Sequence, residues 1–330
     1  MRLLTPAGSA PDPHRSVRPS VRQDVVVSRR AVLLFVALGV AWGIPYLLIK
    51  VAVDELSPAQ LVLGRTALAA LILLPIAVAK GAIRPLLPHW RWLLVFVVVE
   101  IAVPWVLLGS AETRLPSSTT GLLIAAVPLA GVALAFVTGH AERLAPIAWL
   151  GLALGIVGVG ALVGLDVGGS DLGAVAEIGV VVIGYAAGPA ILARPLKGLP
   201  GIGVMSSALT ITALAYVPVV LVTDGVPGAL PEAKVVWSVI GLAVVCTAAA
   251  FMLLFALVNE VGPVRATTIT YVNPAVAVVA GALILDEPVT VWTVLGFALV
   301  VTGSFLVNRG GRPVPADEAE LVGETASSCA

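Results

Sequence analysis

The sequence has few charged residues and almost no cysteine. Of its 330 residues, 12% are charged and 59% are hydrophobic, whereas about a quarter of a soluble globular domain is charged. So little charge cannot cover a globular surface in water, and the mean hydropathy of +1.07 indicates that lipid surrounds most of the chain. The two cysteines, Cys246 and Cys329, cannot form a disulfide framework, and the three histidines share no metal-ligand spacing. We therefore expect no metal and no cofactor.

Long apolar runs predict helices that cross a membrane. An outer-membrane barrel would show alternating segments of about ten residues, and a spanning helix needs about 20 apolar residues. The unbroken runs fit the second pattern, so we predict an all-α polytopic membrane protein with ten transmembrane helices. The predicted spans are 31–50, 58–79, 92–112, 116–137, 145–165, 172–192, 202–223, 235–258, 263–285 and 290–307.

Lysine and arginine are distributed unevenly among the predicted loops. With the N-terminus in the cytoplasm, fourteen of them face the cytoplasm, and only Lys50, Arg114 and Lys234 face outside. Because positive residues favour the cytoplasmic side, we predict a plasma (inner) membrane protein with both termini in the cytoplasm. The arginine-rich residues 1–30 are predicted as a disordered tail; a cleaved signal peptide is the alternative, which the many following spans disfavour.

The two halves of the chain resemble each other. The pattern Leu-Gly-x-Ala-Leu begins at Leu150 and again at Leu295, and Pro128 recurs as Pro274. Each half holds five predicted helices, an odd number, so the second half enters the membrane from the opposite side. Such inverted five-helix repeats recur among secondary transporters. The predicted units are the N-terminal tail 1–30, the first repeat 31–165, an external linker 166–171, the second repeat 172–307 and a disordered cytoplasmic tail 308–330.

Three stretches of the chain resemble EamA-type members of the drug/metabolite transporter superfamily. They are Ala41-Trp42-Gly43 with Lys50, Leu56-Ser57-Pro58 and Arg65; Gly121 to Pro128 with Glu142-Arg143-Leu144; and Asn273-Pro274 with Asp286-Glu287-Pro288 and Leu295 to Gly303. The resemblance covers about residues 31–307. It implies a ten-helix fold with a central cavity between the repeats, and the export or uptake of small metabolites, amino acids or drugs.

Charged residues inside the predicted helices are candidates for function, because a charge at helix depth costs about 2.5–3.5 kcal/mol on insertion scales. Arg65, Glu100 and Glu177 are of this kind. We interpret Glu100 as a site for a coupling proton or cation and Arg65 as an anchor for a substrate carboxylate. The alternatives are a purely structural Arg65–Glu100 pair and a Glu177 that only reaches the membrane interface.

Aromatic and amide side chains near intramembrane prolines are candidates for lining a substrate site, since rings combine apolar faces with polar tips. These candidates are Trp42, Tyr46, Trp105, Tyr185, Tyr271 and Asn273. Prolines inside the spans are expected to kink their helices and free backbone carbonyls, although kinks that only shape packing are the alternative. The prolines concerned are Pro45, Pro128, Pro189 and Pro274.

Taken with the resemblance, these features predict a secondary transporter that works by alternating access and is not an enzyme. Its partners would be a small-molecule substrate, membrane lipid and a coupling proton or cation; the net charge of +0 gives no indication of nucleic acid. We expect a monomer or a homodimer. Two alternatives stay open, a structural or sensory membrane protein without transport and a membrane-embedded lipid-modifying enzyme.

Overall fold

The computed structural model describes residues 28–138, 146–162, 171–225, 230–261 and 266–310. Those ranges are helical and contain no strand, as predicted. The α-helices, labelled α1 to α14 in chain order, are Arg29–Gly43, Pro45–Ala52, Pro58–Ala79, Trp90–Phe96, Val103–Glu112, Ser117–Ile124, Val127–Val137, Pro146–Ala161, Leu172–Ala193, Gly201–Thr223, Ala233–Ala243, Ala250–Val261, Asn273–Ile284 and Val291–Gly310.

Seven helical stretches are long and apolar enough to cross a membrane, which confirms the prediction of membrane-spanning helices. They are Arg29–Ala52, Pro58–Ala79, Arg84–Glu112, Ser117–Ala135, Leu172–Ala193, Gly201–Thr223 and Ala233–Val261. Three further apolar helices of 10–17 residues are shorter, namely Pro146–Ala161, Ile269–Ile284 and Val291–Val307. All ten lie where spans are predicted, but within the described ranges only seven reach the length required, so the count of ten transmembrane helices stays a prediction.

Three of the four predicted kink prolines lie at breaks between helices. Pro45 begins α2 directly after α1 ends, and Pro128 and Pro274 are the second residues of α7 and α13. A proline fits the first turn of a helix because the backbone N–H that it lacks would be unpaired there. Pro189 differs, since α9 runs through it without a break. Pro45 and Pro189 lie 144 residues apart in the sequence, close to the repeat shift, so of these two equivalent prolines only Pro45 lies at a helix break.

Two π-helical turns interrupt equivalent spans in the two halves of the chain. One, Val97–Ala102, joins α4 to α5, and the other, Val244–Ala249, joins α11 to α12. A π-helical turn widens the backbone by one residue and often marks a functional site. The two turns begin 147 residues apart. This is close to the 145 residues that separate Leu150 from Leu295 in the sequence repeat. Glu100 lies on the first turn and Thr247 on the second.

The halves meet through equivalent helices. In the first half α3 packs along α10 of the second, and α8 packs along α14. Polar side chains mark two ends of this bundle. We call the end that carries Lys50 and Arg114 the Arg114 end, and the end that carries Arg30 and Lys80 the Lys80 end.

Candidate substrate and proton sites

Arg65 on α3 lies inside the bundle, with 8% of its surface exposed. Its Nε donates a hydrogen bond of 3.0 Å to the Thr247 hydroxyl. Its guanidinium carbon lies 3.7 Å from the centre of the Trp105 ring, a cation–π arrangement that gains strength where water is excluded. Arg65 is therefore held on two sides, by a hydroxyl from the second half and by an indole from the first.

The π-helical turn explains why Thr247 can receive this bond. Its hydroxyl donates to the carbonyl of Leu242, five residues earlier, at 2.8 Å, the spacing of a π-helix rather than an α-helix. That bond leaves the lone pairs of the hydroxyl oxygen available to Arg65. Thr247 is fully buried. Thr247 is neither charged nor aromatic and has no proline beside it, so sequence analysis did not identify it as a site residue.

Two tyrosines that were predicted as site residues interact with Arg65. Tyr46 and Tyr185 both interact electrostatically with its guanidinium, and with each other. The Trp105 indole also approaches the Tyr185 hydroxyl. The structure thus brings together four residues predicted separately as site residues. We refer to Arg65, Trp105, Tyr46, Tyr185 and Thr247 as the Arg65 cluster.

Glu100 lies away from Arg65. Its carboxyl packs against the backbone of α9 at Gly188, where a β-carbon would overlap it. Oε2 is buried and has no hydrogen-bond partner within the described ranges. The alternative of a structural Arg65–Glu100 pair is wrong, because the four ion pairs among the described residues do not include it. The physical reason is that Arg65 faces the second π-helical turn, whereas Glu100 faces α9.

The remaining aromatic candidates and Asn273 surround the helix breaks rather than the Arg65 cluster. Trp42 packs edge-to-face on Phe251 at 6.1 Å between ring centroids. Tyr271 donates a hydrogen bond of 3.1 Å to the Ser304 carbonyl. Oδ1 of Asn273 is buried without a partner in the described part of the chain. Asn273 thus presents a buried polar atom that is free for a ligand.

Ser304 closes one of the breaks. Its hydroxyl, fully buried, donates a hydrogen bond of 3.0 Å to the carbonyl of Ala125, which lies between α6 and α7. A carbonyl freed at a break inside a membrane needs such a donor, because no water reaches it there. The Ala125 carbonyl at the break before Pro128 is thus bonded by α14 and is not left open toward a substrate.

Glu177 lies in an ion-pair cluster at the Arg114 end. Arg114 binds both Glu177 and Asp171 at 2.6 Å. The hydrogen bond from Arg114 lowers the pKa of Asp171, and the two carboxylates raise the pKa of Arg114. This placement favours the alternative in which Glu177 reaches the interface, and it joins the segment after α5 to the start of α9.

Two further acidic residues at this end were missed as candidates by sequence reasoning. Glu287 accepts hydrogen bonds from the backbone N–H groups of Ser117 and Ser118, at 2.7 and 2.9 Å, and so caps α6. Burial alone would raise the pKa of Glu287, but the bonds from Ser118 and Ser117 outweigh it and leave that pKa lowered. Glu112, the last residue of α5, is fully buried. Because Glu112 is the last residue before a predicted loop, the sequence gives no sign that it is buried.

One cavity among the described residues opens at the Lys80 end. It has a volume of about 710 Å³ and lies among α1, α10 and α12, with Arg30, Lys80, Phe255 and Glu260 in its lining. A second, of about 320 Å³, is lined by apolar residues of α3 and α11, among them Leu68 and Val239. Neither has the Arg65 cluster in its lining.

These features define a helical membrane protein made of two related halves with polar groups buried between them. The model of the EamA-like transporter family matches the chain twice, over residues 29–164 and 174–309. The chain therefore belongs to the EamA-like transporter family, which confirms the resemblance read from the sequence. The two matches begin 145 residues apart, the same shift as the internal repeat.

Named relatives agree with this assignment. The chain is 27% identical over 286 residues to the uncharacterized inner membrane transporter YedA of Escherichia coli, covering 85% of this chain and 91% of YedA. It is 26% identical over 298 residues to the uncharacterized transporter YvbV of Bacillus subtilis, covering 89% and 95%. A solved crystal structure matches with a TM-score of 0.62 at 18% identity, covering 86% of this chain and 97% of that one, and this likeness shows the fold alone.

Proposed function

We propose that the chain is a secondary transporter that binds a small organic acid at Arg65 and moves it across the inner membrane by alternating access. An amino acid or another small carboxylate metabolite is the substrate class in question. Membership of the EamA-like family supports transport in general, and the relative YedA is named an inner membrane transporter. The orientation that we propose is the one predicted from the loop charges, with both termini in the cytoplasm.

The proposal of a carboxylate substrate rests on the environment of the Arg65 guanidinium. The cation is buried, yet no carboxylate lies within ion-pair distance of it in the described ranges. A buried charge is stable only when it is paired or hydrogen-bonded. Thr247 takes one of the five N–H donors of the guanidinium, so a substrate carboxylate could pair with the rest in a two-bond arrangement.

Trp105 and the tyrosines supply the second half of the proposed site. The Trp105 ring fixes the plane of the guanidinium, and Tyr46 and Tyr185 bring phenol groups close to it. Aromatic faces suit the carbon skeleton of a small metabolite, while the phenol groups suit its polar substituents. We propose that these side chains separate when substrate enters, because in this conformation Arg65 is in contact with both Trp105 and Thr247.

The test is a ligand-dependent thermal unfolding experiment on detergent-purified protein. Matched pairs of compounds are compared, in which a carboxylic acid is set against its neutral amide. A ligand at about a hundred times its dissociation constant stabilises a fold by roughly 2.7 kcal/mol. We expect stabilisation by one class of acids and none by the amides.

Two variants make the test specific. R65Q should lose about 10- to 150-fold in affinity, since hydrogen bonds to a charged group contribute about 1.5–3 kcal/mol. R91Q is the matched control, because Arg91 also lies near a tryptophan ring, that of Trp90 at 5.5 Å, but at the exposed end of its helix. Equal loss in both variants, or stabilisation by the amides, would refute a carboxylate at Arg65. A folded protein that no compound stabilises would favour a structural or sensory role.

We further propose that a proton drives transport and that Glu100 carries it. The buried Oε2 of Glu100 has no donor in the described part of the chain, a setting that favours the neutral acid. Tyr185, on α9, interacts electrostatically with both Glu100 and Arg65. Movement of α9 would therefore affect both.

A further inference from the structure

Glu112 is a buried acid for which the proposed substrate site has no use. It ends α5 at the Arg114 end, and its exposed fraction is 0%. Neither Oε1 nor Oε2 has a hydrogen-bond partner among the described residues. A carboxyl with both oxygens buried and unpartnered is rare in a folded protein and calls for a physical explanation.

Charged and titratable groups face Glu112 from each helix or loop around it. They are Tyr46 and Lys50 on α2, Arg65 on α3, Tyr185 on α9 and Glu287 before α14. Lys50 is the nearest cation, but its Nζ donates to the backbone carbonyls of Glu112 and Leu115, at 2.6 and 3.0 Å. It forms no ion pair with the carboxyl. Lys50 thus caps the end of α5, and its backbone N–H, which also acts on the Glu112 carboxyl, lies outside hydrogen-bond geometry.

This environment favours the neutral acid. An ionised carboxylate without donors in a dry interior costs several kcal/mol, and distant cations do not offset that cost. Lys50 and Arg65 attract the ionised form from beyond ion-pair distance, while Glu287, hydrogen-bonded at the start of α6, repels it. Because the carboxyl is fully buried and has no hydrogen-bond partner among the described residues, we expect the neutral acid in this conformation.

The same end of the bundle is closed by bonds between the two halves. Ser57 donates to Asp224 at 2.8 Å, and the backbone N–H of Glu232 donates to Glu55 at 3.0 Å. The Arg114–Glu177 ion pair and the bonds from the start of α6 to Glu287 also cross from one half to the other. Glu112 is fully buried at this same end of the bundle, so separation of these contacts would be the route by which water reaches its carboxyl.

We infer that Glu112 is a proton-binding site linked to closure of the Arg114 end. The protonated carboxyl is compatible with the closed end, and opening lets the O–H bond break, with the proton passing to water at that end and the carboxylate becoming hydrated. The Lys50 ammonium already at the site argues against a metal cation, which would need several oxygen ligands and would repel it. This inference does not depend on the identity of the substrate or on Arg65.

The experiment measures closure directly and without substrate. Spin labels are placed at Asp54→Cys and Leu230→Cys, two exposed positions on opposite halves beside the Ser57–Asp224 and Glu55–Glu232 contacts. The native cysteines are replaced by C246A and C329S. Distances between the labels are then recorded by electron resonance in lipid nanodiscs from about pH 5 to about pH 8.5. One linked proton changes the open-to-closed ratio by up to tenfold per pH unit.

We expect the short distance to dominate at low pH and a longer distance to grow as the pH rises. E112Q and E112L, which carry no titratable proton, should keep the short distance at every pH. E232Q is the matched control, because this carboxyl lies at the same end but pairs with Lys234 on the surface, and it should behave as the wild type.

Two results would overturn the inference. The first is a wild-type distance that does not change with pH, a measurement that needs no variant at Glu112. The second is a folded E112Q or E112L protein that opens with pH as the wild type does, which would place the proton elsewhere. Neither depends on transport, so a protein that closes with pH but moves no substrate would refute the proposed function and leave Glu112 as the proton site.

Discussion

Glu100 and Thr247 are the fourth residues of the two π-helical turns, so they occupy equivalent positions in the two halves of the chain. Thr247 accepts a hydrogen bond from Arg65, whereas Glu100 packs against Gly188 with one oxygen unpartnered. The π-helical turn of the second half therefore orients the Thr247 hydroxyl toward the Arg65 cation. The equivalent turn of the first half orients the Glu100 carboxyl toward the backbone of α9 at Gly188. The proposed separation of substrate binding from proton binding follows from this difference.

Replacement of Glu100 by glutamine tests the coupling role. E100Q keeps the shape of the side chain but cannot release a proton, so uptake into proteoliposomes should lose its dependence on a proton gradient. Exchange of substrate without a gradient should continue, because Arg65 is untouched. E232Q, at an exposed carboxyl, serves as the control. Gradient-driven uptake by E100Q with the pH profile of the wild type would exclude Glu100 as the proton carrier.

Gly188 permits the close approach of Glu100 to α9. In G188A the new β-carbon would overlap the carboxyl, and we expect a loss of about 1–3 kcal/mol, as for other overpacked sites. G179A, on the same helix with nothing within 4 Å of the added carbon, should be neutral or gain up to about 1 kcal/mol. Thermal unfolding in detergent provides the comparison.

The double variant G188A/E100A tests whether overlap with the Glu100 carboxyl causes the loss of stability in G188A. Removing the Glu100 carboxyl leaves room for the β-carbon, so the loss caused by G188A should largely disappear in that background. An undiminished loss would mean that the contact with Glu100 is not its cause.

Ser304 should stabilise the break between α6 and α7. S304A leaves the Ala125 carbonyl without its donor, and an unpaired buried polar group costs about 1–3 kcal/mol. T138A removes a hydroxyl that bonds only within its own helix and is exposed, so it should change stability far less. Thermal unfolding of the two variants side by side checks this, and equal effects would argue against a special role for the break.

Glu287 should make the stability of the protein depend on acid pH. Its pKa is lowered in the folded state, so its contribution is present above the unfolded pKa of about 4.3 and is lost as the pH falls through the lower folded value. E287Q, which loses one of the two capping acceptors, should be less stable at neutral pH by about 1 kcal/mol.

The pH profile distinguishes this cap from other effects of the substitution. The difference between E287Q and the wild type should shrink once the wild-type carboxyl is itself protonated. D286N is the control, since Asp286 is exposed and its φ of 52° is one that asparagine tolerates. A difference that stays constant down to strongly acid pH would show that the capping carboxylate is not responsible.

Much of the fold could be predicted from the sequence because hydropathy is a local property. Each predicted span lies within a few residues of a helix or helix pair in the described ranges, and the repeat shift reappears in the π-helical turns and in the two family matches. The break between Ser117–Ile124 and Val127–Val137 shows the limit, because the predicted span 116–137 runs across it. Apolar content marks a segment as buried in lipid, but it does not say where the helix starts and stops being regular.

The site was predicted only in part. Arg65, Trp105, Tyr46 and Tyr185 were found because charged and aromatic residues stand out in apolar helices, and the structure brings all four together. Thr247 was missed because a threonine in a membrane helix usually bonds only to its own backbone. Glu112 was missed because it adjoins the charged residues of a predicted loop, where exposure is the ordinary expectation.

By itself, the sequence determined that this chain is a helical membrane protein with two related halves, because composition and repetition follow directly from the order of residues. Only the tertiary structure decided which polar groups meet. These helices are apolar on all sides, so no stripe of polar residues indicates which face turns inward. Packing across the two halves joined Arg65 to Thr247 instead of Glu100, and it covered Glu112 with segments distant in sequence.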